Sequence, residues 1–174
     1  MIEYSKVLYM EAFIEWWMST IGQVISPRLS VFIISMLPVI EERGGLILSR
    51  MLDIPMWEGV IYCVLGNIVP VPFILLLLEK VIDWLSAHHL SKIAEMIKNK
   101  AIKNKPKIDK YGFWGLMIFV GIPLPGTGAW TGTMVAALFN MDVKKSVLSI
   151  FLGIVLAAII MTIVSYGLLG QLIS

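Results

Sequence analysis

The chain has 174 residues, of which 58% are hydrophobic and only 15% charged, with a net charge of +2 and a mean hydropathy of +0.86. Soluble domains carry about a quarter charged residues, so this chain has too little polar surface to cover a core in water. It reads as one all-α integral membrane domain, and its single cysteine, Cys63, excludes a disulfide within the chain.

Residues 1–28 carry Glu3, Glu11 and Glu15 through their apolar run, unlike a cleavable signal sequence. Val7, Leu8, Met10, Phe13, Ile14, Trp17, Met18 and Ile21 recur at about helical spacing, with Glu11 and Glu15 on one face. The expectation is an N-terminal helix that either lies in the membrane interface or spans at the edge of a bundle with its acids inward. Spanning is the preferred option.

Residues 29–52 are too short to cross twice, and a single crossing would place Glu41, Glu42 and Arg43 near mid-bilayer. Each such charge facing lipid costs at least ~2.5–3.5 kcal/mol. A re-entrant helical hairpin avoids that cost: 29–39 enters, the tip turns from Pro38 to Gly45, and 45–52 leaves. Two short helices joined by a water-exposed loop are the alternative. Residues 59–78 are uncharged and long enough to span, with Trp57 and Trp84 at the headgroup levels and Pro70 and Pro72 breaking the middle.

Residues 86–111 are lysine-rich (Lys92, Lys98, Lys100, Lys103, Lys105, Lys107 and Lys110), which marks a cytoplasmic connector whose main role is to set topology. Contact with anionic headgroups is a second role for it. Residues 112–139 repeat the hairpin logic without charge at the tip, and 147–173 form an uncharged last span.

The two hairpins align without gaps at an offset of 87 positions: Leu29 meets Leu116, Phe32 meets Phe119, Pro38 meets Pro125, Gly45 meets Gly132, Asp53 meets Asn140, and Gly66 meets Gly153. The domain therefore divides into an N-terminal helix (1–28), repeat 1 (29–85), the connector (86–111) and repeat 2 (112–174). An odd number of crossings between equivalent points makes the units an inverted repeat of re-entrant hairpin plus transmembrane helix. Secondary transporters build midplane substrate sites from such halves.

The first tip supplies Glu41, Glu42 and Arg43, with Arg50 two turns on and Asp53 at the foot of the hairpin. An arginine in a low-dielectric site offers a fork suited to phosphate or carboxylate, and a carboxylate taken out of water is a candidate proton carrier. Glu42 with Arg43, or Arg50 with Asp53, can equally be plain structural ion pairs. The second tip, Pro125-Gly126-Thr127-Gly128, offers backbone N–H groups, a helix beginning after Gly128, and the hydroxyls of Thr127 and Thr131. That tip is either an anion cradle or merely a tight bend, and Trp130 reads as packing. No spaced metal ligands, P-loop lysine or serine nucleophile elbow occurs, since His88 and His89 are adjacent and in the connector. Neither an enzyme, a cofactor nor a metal is expected.

The segments Leu37-Pro38-Val39-Ile40-Glu41-Glu42-Arg43-Gly44 and Pro123-Leu124-Pro125-Gly126-Thr127-Gly128-Ala129-Trp130-Thr131-Gly132 resemble those of the small multidrug export group of bacterial and archaeal membrane proteins. This group is a distant branch of the DedA superfamily, and the resemblance covers about residues 25–173. It implies paired re-entrant hairpins and transport of a lipid-linked phosphate such as undecaprenyl phosphate, with proton coupling. The superfamily's embedded acid is matched by Glu41 or Glu42, whereas its paired second-hairpin arginines are replaced by Ile122 and Gly128.

The resulting expectation is a multi-pass transporter in the cell membrane of a prokaryote. Arg43, Arg50, Gly126, Thr127, Gly128 and Thr131 would bind an anionic amphiphile, and Glu41, Glu42 or Asp53 would carry a proton. Membrane lipid and a lipid-linked phosphate are the expected partners, a homo-oligomer is compatible with the chain, and nucleic acid is not expected. An exporter of small cations or cationic drugs using Glu41 and Glu42 is the first alternative. A non-transporting membrane-homeostasis protein is the second.

Overall fold

The computed structural model describes residues 16–168 apart from Met18, His89 and Pro125, and among them there are helices and turns but no strand. The expected N-terminal helix lies mostly outside the described residues; a short 3-10 turn, Ile21–Gln23, leads into the first helix. That helix, α1 (Pro27–Met36), starts where the sequence provides both a cap and a rigid first residue. Ser26 Oγ accepts from Leu29 N at 3.3 Å, and Pro27 occupies the first helical position. Leu37 to Ile40 make the bend, and α2 (Glu41–Met51) follows.

The observed tip is therefore shorter than expected. Glu41 to Gly45 belong to the first turns of α2, because the backbone already closes hydrogen bonds at Glu41 N to Leu37 O and Gly44 N to Ile40 O.

Helices α3 (Met56–Ile68) and α4 (Pro70–Ala87) join through the single residue Val69. Together they form a 32-residue apolar rod, Met56–Ala87. The expected break at Pro70 and Pro72 falls at the boundary between these two helices. Pro70 opens α4, where a missing N–H costs little. The lysine-rich connector is itself a helix, α5 (Ser91–Asp109), which buries Ala94, Ala101, Asn104 and Ile108 and packs against α4, α6 and α7. Then come α6 (Gly112–Gly121), the second bend, α7 (Ala129–Leu138), and α8 (Val143–Thr162) with a π turn, Ile163–Leu168. The last long helix starts at Val143 rather than at 147, because Asp142 caps it by accepting from Lys145 N at 2.8 Å.

The offset of 87 seen in the sequence recurs in the backbone. Asp53 and Asn140 both adopt left-handed φ, 50° and 49°, at the corner that ends the second hairpin helix. Around them Leu52 N to Leu48 O is matched by Phe139 N to Val135 O, and Ile54 N to Ser49 O by Met141 N to Ala136 O. Aspartate and asparagine are the non-glycine residues that tolerate this conformation best.

The packing recurs as well. A Cβ on Gly66 would run into the Phe32 carbonyl of α1, and one on Gly153 would come within 2.8 Å of the Met117 carbonyl of α6. Each unit also has its own core. Val31, Ile34, Leu46, Leu48 and Cys63 fill the first, while Leu116, Val120, Val135, Ile150 and Ile154 fill the second.

Met56–Ala87 and Val143–Gly167 are long and apolar enough to cross a bilayer. Only 28% and 39% of their most apolar windows are buried inside the molecule, unlike the core helix of a soluble protein. Their exposed faces carry Ile61, Leu65, Phe73, Leu76, Phe151 and Ile159. Such a surface belongs in lipid rather than in water.

Candidate functional site

The two bends touch, and the contact is polar. Glu41 is only 3% exposed, and its carboxylate accepts from Ala129 N at 3.2 Å and Trp130 N at 3.1 Å. These are two of the unpaired N–H groups at the start of α7, where the helix dipole favours negative charge. Gly128 makes the approach possible. It stands at φ 123°, ψ −179°, a region essentially restricted to glycine, and a side chain there would occupy the space of the Glu41 carboxylate. On the other side of the contact, Val39 (φ 78°) and Glu41 (φ 52°) hold positive φ without being glycine. Each such position costs on the order of 1–3 kcal/mol. The docked Glu41 side chain is one of the contacts that tether the first bend in this shape, with Arg43 and Trp130.

Arg43 crosses to the same loop. Its guanidinium donates to Leu124 O at 3.0 Å, to Ile122 O at 3.5 Å and to Thr127 Oγ1 at 3.2 Å. Thr127 Oγ1 also lies 2.7 Å from Leu124 O and 2.9 Å from Ile122 O, so its hydroxyl staples the loop on which Arg43 rests. Arg43 Nε is buried without a partner. Trp130 Nε1 donates to Met36 O at 3.1 Å, tying α7 to the end of α1.

Glu42 points elsewhere. It is 1% exposed and accepts from Asn67 Nδ2 of α3, while Asn67 Oδ1 has no partner.

Of the residues singled out in the sequence, Glu41, Arg43, Thr127 and Gly128 meet at this contact. Gly126 (φ 82°) lies in the same loop but is exposed and touches nothing that a side chain would displace. Thr131 is buried one turn into α7. Arg50 and Asp53 lie at the opposite end of α2 and pair with each other at 3.0 Å, the Asp53 side chain being 88% exposed. They lie outside the cluster. No Glu42–Arg43 ion pair forms, because Arg43 is committed to the second bend.

Sequence reasoning missed Asn67, although it is the sole carboxamide in the uncharged run 59–78. It also missed that the amides receiving an anion belong to Ala129 and Trp130 rather than to the glycines before them. Groups of three or more potential metal ligands are absent among the described residues.

No curated protein and no solved structure matches this chain. The family described as "Putative small multi-drug export protein" matches residues 41–160, which include α2, α3 to α7 with the whole second bend, and most of α8. That match together with the two long apolar helices makes this a membrane protein. The chain belongs to the small multi-drug export family.

Proposed function

We propose that the protein is a multi-pass secondary transporter of the prokaryotic cell membrane, not an enzyme, and that its cargo is an anionic amphiphile of the polyprenyl phosphate class. In this reading the two helix–bend–helix units are re-entrant hairpins, inverted relative to each other, whose bends meet inside the membrane. The similarity to DedA proteins described above supports the same architecture.

One observation carries the proposal: a carboxylate of the protein itself sits on the N-terminal amides of α7, beside Arg43. The protein thereby stabilises an anion at the place where a phosphate oxygen would go. Glu41 acts as an internal substitute for the cargo. Protonation releases it from the amides, the phosphate takes its position with Arg43 alongside, and loss of the proton expels the phosphate. This exchange couples one proton to one anion and relaxes the first bend while Glu41 is undocked.

Uptake of labelled polyprenyl phosphate into proteoliposomes tests the reading. Transport should follow an imposed proton gradient, fall by at least an order of magnitude in Arg43→Ala, and lose its gradient dependence in Glu41→Gln. Equal uptake by native protein and Arg43→Ala refutes it.

A second reading is favoured by Glu42, a buried acid whose hydrogen-bond partner is the Asn67 amide rather than a cation, and by the drug-export description of the family. It makes the protein an exporter of cationic compounds that are exchanged for a proton at Glu42. Under that reading Glu42→Gln abolishes export of a cationic dye and Arg43→Ala leaves it intact.

A further inference from the structure

Away from the bends, the face between α3 and α8 carries a groove of about 690 Å³ with almost no polar lining. Met56, Ile61 and Leu65 form one wall, and Val155, Ile159 and Ile163 form the other. A second pocket of about 310 Å³ adjoins it, sharing Ile61, and is lined by Arg28, Trp57, Glu58 and Tyr62. We propose that the groove and pocket together bind one phospholipid whose headgroup carries both a phosphate and a primary ammonium.

Dimensions and charge carry the assignment. From Met56 to Leu65 the groove wall rises about 14 Å at ~1.5 Å per residue, which matches the hydrocarbon depth of one leaflet in a core of about 30 Å. Trp57, 64% exposed, stands at the end of that wall where an indole marks the headgroup level.

The pocket beside it holds an ion pair, Arg28 with Glu58, joined through Arg28 Nε and one Glu58 oxygen. The two terminal amino groups of Arg28 are left for a phosphate, and the other Glu58 oxygen for an ammonium. A headgroup with one charge of each sign matches this net-neutral pair. A glycerol headgroup would leave Glu58 unmatched, and a quaternary ammonium has no N–H to donate. None of the residues that line the site contributes to the contact between the bends, so the proposal stands independently of the transported cargo.

The test is native mass spectrometry of the delipidated protein offered an equal mixture of ethanolamine-, choline- and glycerol-headed phospholipids with identical acyl chains. The expected result is one retained lipid, with the ethanolamine headgroup favoured about five-fold, the scale of one partly exposed charge pair. Arg28→Gln and Glu58→Gln should each remove the preference, and the swapped pair Arg28→Glu with Glu58→Arg should restore it. Ile159→Trp, at an exposed position, should fill the groove and remove the lipid altogether. Retention of no lipid, of several without headgroup preference, or an unchanged preference in both single variants overturns the proposal.

Discussion

Gly128→Ala offers the sharpest probe of the contact between the bends. The substitution acts twice. Alanine at φ 123° and ψ −179° is strained by on the order of 1–3 kcal/mol. Its methyl group would also lie 2.7 Å from both Cδ and Oε1 of Glu41, so the carboxylate must leave the α7 amides. Each lost N–H bond to the carboxylate contributes roughly 0.5–3 kcal/mol, depending on its charge state. The sum is a destabilisation of about 2 kcal/mol or more.

With Glu41→Ala already present the steric conflict is gone, and only the strain should remain. A double-mutant cycle over native protein, G128A, E41A and the double variant should therefore show a coupling of at least ~1 kcal/mol. Unfolding followed by tryptophan fluorescence at fixed detergent concentration measures it. Additivity within ~0.5 kcal/mol would mean that the Glu41 carboxylate does not rest on α7, and the account of the site would fall with it.

Arg43→Lys keeps the charge but replaces a fork that reaches three acceptors with a single ammonium, so polyprenyl phosphate uptake should fall about ten-fold or more; near-native uptake would argue that only the charge matters. Arg50→Ala removes a partly exposed pair at the foot of the hairpin and should cost no more than ~1 kcal/mol in unfolding experiments, with uptake retained. Gly66→Ala drives a methyl group into the Phe32 carbonyl and should destabilise by roughly 1–3 kcal/mol; a neutral result would show that α1 and α3 can separate freely.

Composition and periodicity sufficed for the class of the protein, and the offset of 87 anticipated the recurrence of corners at Asp53 and Asn140. These features were legible because helix breakers and left-handed corners depend on local residue chemistry. Partner choice depends on which of two adjacent acids faces which neighbour, and helical geometry turns successive residues about 100° apart. Glu41 and Glu42 consequently point to different helices, one to α7 and the other to α3, a split that adjacency in the chain conceals. Arg50 stands apart from the contact because a separation of two helical turns places it well along the axis from the bend, not beside it. The connector's helical form was likewise hidden: its lysines dominate its composition, and the small residues Ala94 and Ala101 that let it pack are inconspicuous among them.

The rod from Met56 to Ala87 has a consequence for the outline of the molecule in a bilayer. Its 32 residues extend about 48 Å, against a hydrocarbon thickness of about 30 Å. Lying wholly within that thickness would need an inclination of roughly 50°, beyond the 0–40° that membrane helices adopt. That length is enough for the charged turns at Glu79, Lys80 and Asp83 to stand outside the hydrocarbon, at the end from which the chain turns into the lysine-bearing α5.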